Sequence, residues 1–244
     1  MDILKDTWYS SWFDTPYYHM LYKDRDYEEA KLFMTNLVEF LKLPDGAKIL
    51  DLACGRGRHS IFLNKMGYDV TGIDLSPNSI AHAKAYENEH LRFKVHDMTQ
   101  PYPDTFDAIV NLFTSFGYFD DDSCNLKTIT AIKEALKPHG FGVIDFMNVN
   151  YVINHLVKED TKIQEGITFK QRRVLENGYI LKHISFTHNY KDYRFTERVK
   201  ALQLDDFKRF FKEAQIKLLH TFGSYQLDPF DKETSTRLIL IFKK

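Results

Sequence analysis

Asp51, Asp74 and Asp97 are three carboxylates that each fall at or just past the end of a short apolar run. Between the first two lies Cys54-Gly55-Arg56-Gly57, where two glycines let a helix N-terminus approach a ligand closely and offer it backbone N–H groups. Asp74 stands 17 residues beyond Gly57, where a carboxylate can accept hydrogen bonds from both hydroxyls of a ribose. Asp97 can take the exocyclic amine of adenine while the backbone N–H of Met98 donates to a ring nitrogen. A glycine-rich turn on its own is often only a tight turn, and a lone acid after a strand is usually solvated. Three acids around one glycine turn point instead to a nucleoside-bearing ligand.

The elements that would position these groups can be read from the pattern around them. KILDLA (48–53) is a short apolar strand, and a helix from His59 to Met66 follows the glycine turn, closed by Gly67. Tyr68 to Ile73 is a second strand, after which Ser76-Pro77 supplies an N-cap and a proline at the first helical position. Leu91 to Val95, Phe106 to Phe113 and Gly142 to Phe146 are the third to fifth strands, with a helix from Ser123 to Lys137 between the last two. Repeated β-α-β units predict a parallel sheet with helices on both faces, and ligands in such sheets lie beyond the carboxyl ends of the strands. Upstream, Ala30, Phe33, Met34, Leu37, Val38 and Leu41 form the stripe of an amphipathic helix, which Pro44-Asp45-Gly46 ends.

After Asn150 the alternation stops. Ile167 to Leu175 and Tyr179 to Thr187 flank Asn177-Gly178, the dipeptide favoured by a type I′ hairpin turn, and Tyr193 to Leu202 is expected to pair with them. Helical spacing returns at Leu204, Phe207, Phe210, Phe211 and Ala214, before two strand-like runs from Ile216 to Phe222 and from Arg237 to Phe242. The expected fold class is α/β: a Rossmann-like, seven-stranded, mostly parallel sheet with helices on both faces, plus an antiparallel β insertion after the fifth strand. The expected division is an aromatic arm and helix (1–45), a ligand-binding core (46–150), a β-rich insertion covering the acceptor site (151–202), and a C-terminal helix and strands that complete the core (203–244).

DLACGRG (51–57), GIDLS (72–76) and HDM (96–98) resemble, in order and spacing, the first three motifs of class I S-adenosylmethionine-dependent methyltransferases. The resemblance covers roughly residues 46 to 147, and the last two strands are consistent with that fold's terminal hairpin. It implies S-adenosylmethionine as cofactor and S-adenosylhomocysteine as product. By that resemblance, Asp51 and the backbone of Ala53, Cys54, Gly55 and Gly57 hold the methionine portion, Asp74 binds the ribose, and Leu75 lies against the adenine. Asp97 and Met98 read the adenine edge, and Asn111, Leu112 and Phe113 face the methionine amine and the transfer path. A dinucleotide-dependent oxidoreductase is the rival, but its fingerprint wants a third glycine where this chain has Ser60. A module that keeps the cofactor pocket without turnover is the other alternative.

Methyl transfer from a sulfonium is an in-line displacement that needs no covalent enzyme intermediate, and a general base only if the acceptor must lose a proton. The motifs therefore leave the catalytic residue open. Aromatic residues reach 15% of the chain, and Trp8, Tyr9, Trp12, Phe13, Tyr17, Tyr18 and Tyr22 crowd its first 22 positions. Such rings can cover a cation and exclude water, so the arm is expected to act as a lid. Tyr18 and Tyr22 are spaced to share a helical face, Arg25 lies one turn on, and Tyr118 is a further expected acceptor contact.

A net charge of −1 gives no general attraction to nucleic acid or anionic membrane. NLFTS (111–115) stands where enzymes that methylate DNA-base amines carry an Asp/Asn-Pro-Pro-aromatic run, so DNA falls in likelihood as acceptor. Residues 151–217 hold 14 Lys/Arg against 9 Asp/Glu, read as a solvated face, and Arg172 and Arg173 point to opposite sides of their strand. The ten histidines show no metal-ligand spacing, and no metal is expected. With two cysteines outside any paired motif and no long apolar run, the expectation is a cytoplasmic enzyme, away from membranes, that acts on a small molecule. The sequence leaves the oligomeric state open.

Overall fold

A computed structural model describes residues 7–23 and 27–244. The elements run α1 (Trp8–Phe13), α2 (Pro16–Leu21), α3 (Tyr27–Leu41), β1 (Lys48–Leu52), α4 (Arg58–Lys65), β2 (Asp69–Asp74), α5 (Pro77–Ala83), β3 (Leu91–Val95), β4 (Phe106–Asn111), α6 (Asp122–Ala135) and β5 (Leu136–Met147). Then come α7 (Val149–Asn154), β6 (Glu159–Gln164), β7 (Ile167–Glu176), β8 (Tyr179–His188), β9 (Lys191–Lys200), α8 (Leu204–Glu213), β10 (Lys217–Phe222) and β11 (Arg237–Lys243).

Seven strands form one sheet in the order β10-β11-β5-β4-β1-β2-β3. β1 to β5 are parallel, while β11 runs antiparallel between β5 and β10. The strand order reverses between β1 and β4, and a ligand crevice is expected beyond the carboxyl ends of strands at such a point. Register brings those ends level, since Leu52 lies opposite both Ile73 and Asn111.

Side-chain alternation divides the core between the two faces. Leu50, Leu52, Ile144 and Phe146 pack with α6 and α8, whereas Ile49, Val70, Val110 and Val143 pack with α3, α4 and α5. Strands that carry apolar residues on both faces are what a parallel sheet covered by helices requires.

The expected insertion is a second sheet, ordered β6-β7-β8-β9 and antiparallel throughout. Its inner face carries Ile167, Phe169, Ile184 and Phe186, which pack with Trp12 and Leu21 of α1 and α2 in a third apolar cluster. The arm is thus part of the core of the insertion. Both of its short helices are capped: Thr7 Oγ1 accepts from Ser10 N (3.3 Å), and Thr15 Oγ1 accepts from Tyr18 N (3.1 Å) ahead of Pro16.

Three elements differ from the sequence reading. β6 and α7 had no counterpart in it, because Glu159–Gln164 is polar and pairs with β7 through its backbone. The helix expected to reach Lys137 ends at Ala135, two residues earlier, because Pro138 disfavours helical geometry in the residue before it. Among the described residues no helix is long and apolar enough to cross a membrane.

Candidate active site

The turn after β1 is built from left-handed residues: Ala53 and Gly55 at φ 56° and Gly57 at φ 82°. Gly57 begins α4, and a Cβ there would lie 2.6 Å from the Phe93 ring, so this glycine lets helix and sheet close together. The turn is tied to β2 through Asp74, whose Oδ2 accepts from Gly55 N and whose Oδ1 accepts from Ser76 N, both at 2.8 Å. An ionised carboxylate has about four acceptor positions, so each oxygen can still accept from a ligand hydroxyl. Burial raises the Asp74 pKa against the pull of those N–H groups.

Asp51 is almost wholly buried and accepts a 2.6 Å hydrogen bond from Ser60 Oγ. Burial, assisted by the charge of Asp74, pushes its pKa up to about 7. Beside it, burial keeps the Cys54 thiol protonated, which removes the one sulfur in the turn as a nucleophile. Asp97 follows β3 and is oriented by Thr99 N, which donates to its Oδ1 at 2.9 Å.

Beyond these strand ends lie two adjoining cavities of about 550 and 540 Å³. Each falls within the roughly 300–1,000 Å³ range of small-molecule sites. They share Phe13, Ala53, Asp74, Ser115 and Tyr118 and so form two lobes of one cleft. The first lobe is walled by Leu75, Asp97, Met98, Phe119 and Tyr9. The second is walled by Asp51, Cys54, Gly55, Leu112, Phe113, Tyr18 and Tyr22. It also carries Lys23, which pairs with Glu165, and Arg56, Arg58 and Lys65, against the two acids Asp51 and Asp74.

Two residues expected at the ligand line neither lobe. Gly57 packs against Phe93 instead. Asn111 is fully buried behind the cleft, where its Nδ2 donates to the carbonyls of Leu52 and Ser115, each at 3.3 Å, and so braces the ends of β1 and β4. Its place at a strand end was legible, but not the side to which it points. Arg25 lies outside the described residues.

Tyr18 and Tyr22 do share a face, with ring centroids 5.1 Å apart. The Tyr22 hydroxyl donates to Glu197 at 2.7 Å and accepts from Lys182 Nζ at 2.6 Å, so it joins the arm to the second sheet. Tyr118 stands against the arm, 5.3 Å from both Trp8 and Phe13. In the second lobe Arg58 Nη2 lies 3.3 Å from His59 Nε2 and donates toward it.

Phe13, named in the aromatic arm, and Ser115, in the segment after the fourth strand where acceptors are expected to approach, line both lobes, whereas the sequence reading missed Asp14, which joins the arm to the core. Asp14 accepts from Ser76 Oγ, from Asn78 N (3.1 Å) and from Asn78 Nδ2 (2.7 Å) at the start of α5. The Ser76-Pro77 cap was visible in the sequence, but nothing local connects it to a residue 62 positions earlier.

Comparison with known proteins agrees with this geometry. A family profile described as a methyltransferase domain matches residues 49–140. A glycine/sarcosine N-methyltransferase of Aphanothece halophytica is 30% identical over 83% of this chain and 77% of that protein. The Bacillus subtilis protein YqeM is 36% identical, but over 42% of this chain and 43% of its own length. Among solved structures, an S-adenosylmethionine-dependent methyltransferase from Clostridium acetobutylicum superposes with TM-score 0.78 at 20% identity, over 93% of this chain and 95% of that one.

The fold and cleft are those of an α/β nucleoside-binding transferase. The chain belongs to the class I S-adenosylmethionine-dependent methyltransferases, and S-adenosylmethionine is its cofactor. The residues present fit that group. The polar lining of the first lobe is chiefly carboxylate and hydroxyl (Asp74, Asp97, Ser76, Thr99) among apolar walls, which suits a nucleoside that carries a cationic sulfonium.

Proposed function

We propose that this enzyme methylates the nitrogen of a small amine that also carries a carboxylate, with the acceptor seated in the second lobe. The observation that carries this reading is the join between the lobes at Phe13, Ala53, Asp74, Ser115 and Tyr118, beneath an arm that leaves space for a small molecule. The cations Lys23, Arg56, Arg58 and Lys65 around the second lobe favour an anionic group on the acceptor. The relative from Aphanothece halophytica, named for glycine and sarcosine, supports the same class.

In this reading Asp74 holds the ribose hydroxyls, Leu75 and Met98 flank the adenine, and Asp97 accepts from its amine. Asp51 and the Ala53–Gly55 backbone hold the methionine end. The bound cofactor supplies a methyl group activated by a positively charged sulfur. The protein's part is to orient the amine, strip it of water and enclose it with the rings of Phe13, Tyr18 and Tyr118. A neutral amine needs no base for attack, which agrees with a lobe where the Cys54 thiol is protonated and Asp51 is engaged by Ser60. A cytoplasmic location accords with the two unpaired thiols, Cys54 and Cys124.

The test is S-adenosylhomocysteine formation with glycine, sarcosine and ethanolamine at saturating cofactor. The reading predicts turnover of the two amino acids and at least tenfold lower kcat/KM for ethanolamine, which lacks the carboxylate. Equal turnover of all three would remove the role of the carboxylate, and no turnover of any small amine would overturn the acceptor class.

A further inference from the structure

Phe113 and Thr114, just after β4, adopt left-handed conformations at φ 56° and 62°. Neither residue type enters that region readily, and for a β-branched threonine it is a genuine outlier. Such a conformation persists only where the surroundings over-determine it, and here they do. Phe113 N donates to Asp145 Oδ2 (2.9 Å), and Thr114 N donates to the Asp145 carbonyl (2.9 Å). Arg237 Nη2 donates to Thr114 Oγ1 (3.0 Å), while Arg237 Nε donates to Asp145 Oδ1 (2.8 Å). Tyr225 adds its hydroxyl to Asp145 Oδ2 at 3.1 Å and stacks its ring on Phe113, with centroids 5.5 Å apart.

Asp145, on β5, is completely buried, while the side chain of Arg237, on β11, keeps 18% of its surface exposed. Neither lines either lobe of the cleft, yet the turn they grip supplies Leu112, Phe113 and Ser115 to its wall. A buried ion pair is a poor way to gain stability, because desolvation of the two charges offsets their attraction. What the pair does achieve is a single conformation of a turn that would otherwise relax.

We infer that Asp145 and Arg237 are positioning residues for the methyl-transfer site: their ion pair holds the Phe113–Thr114 turn in a strained geometry so that Leu112 and Phe113 form the wall of the second lobe against the cofactor. This rests on the cofactor placement proposed above. The pair acts through the turn and touches neither cofactor nor acceptor.

Calorimetric titration with S-adenosylmethionine tests it, because stoichiometry reports the folded fraction and the dissociation constant reports the site. Thr114→Val removes the hydroxyl that Arg237 grips but keeps the cost of a left-handed β-branched residue, so the turn should relax. Its dissociation constant should rise at least fivefold at a stoichiometry near one. Asp145→Asn should raise the constant at least tenfold in the molecules that fold. Should it fail to fold, Thr114→Val alone decides. Wild-type affinity in Thr114→Val at full stoichiometry would overturn the positioning role, since a purely structural turn would not move that constant. Asp74→Ala is the control. If it loses affinity while the turn variants do not, the cofactor placement stands and this inference falls. If it too binds like the wild type, the placement itself is wrong and the inference goes with it.

Discussion

At the scale of single residues, Asp51 sits in an environment that holds it well away from ordinary carboxylate behaviour. Burial raises its pKa to about 7, so in the folded protein it holds a proton that an unfolded aspartate releases near pH 4. The native state therefore binds more protons than the unfolded chain between about pH 4 and 7. The contribution of Asp51 to stability falls as pH rises across that window and levels off above it. A cationic methionine end beside Asp51 favours the carboxylate, so cofactor binding should expel a proton near neutrality. The expected outcome is that S-adenosylmethionine binds several-fold more tightly at pH 8 than at pH 6, and that Asp51→Asn flattens this dependence. Titration in buffers of different ionisation enthalpy measures the proton release directly, and none at pH 6.5 would contradict the placement of Asp51.

At the scale of elements, the turn between β1 and α4 shows what a glycine is needed for. Gly57 combines φ 82° with a Cβ position inside the Phe93 ring contact, and Phe93 is fully buried and cannot swing away. Gly57→Ala should cost more than about 2 kcal/mol, the sum of roughly 1–2 kcal/mol for a left-handed alanine and the strain of overpacking. Chemical denaturation with an unchanged slope would measure it, and a loss below about 0.5 kcal/mol would mean that the helix can shift off the sheet.

The strands around this turn were legible because each is an apolar run bounded by turn residues, and β3 ends where the pattern predicts, at Val95. Glu159–Gln164 was not legible as β6, since a polar edge strand held by backbone pairing leaves no hydrophobic alternation. Asn111 shows the limit inside the site: its strand end was clear, but whether it faces ligand or neighbouring backbone depends on packing that alternation does not specify. The bonds from Tyr22 to Glu197 and from Asp14 to Ser76 join residues 175 and 62 positions apart, which local pattern does not encode.

At the scale of the whole molecule, the arm and the four-stranded sheet share one apolar cluster, with the cleft between that body and the seven-stranded core. Asp14 is one of the fastenings between them, beside the His19–Ser79 contact and the Lys200–Asp122 ion pair, and it also places a negative charge at the N-terminus of α5. Asp14→Ala should therefore speed cofactor release several-fold, with little effect on the core, whose own contacts are untouched. The chain has two tryptophans, Trp8 and Trp12, both in the arm, so stopped-flow fluorescence reports on any movement of the arm as cofactor leaves. An unchanged dissociation rate in Asp14→Ala would mean that the other contacts hold the arm without it.

The cleft where strand order reverses between β1 and β4 is expected to bind the cofactor through carboxylates on successive strand ends. A crystal structure with S-adenosylhomocysteine would decide this. The ribose hydroxyls should lie on Asp74, the adenine beside Leu75 and Met98 with its amine on Asp97, and the amino-acid end at Asp51 and the Ala53–Gly55 turn. Ligand density elsewhere, or a nucleoside reversed so that the adenine lies at the glycine turn, would contradict it.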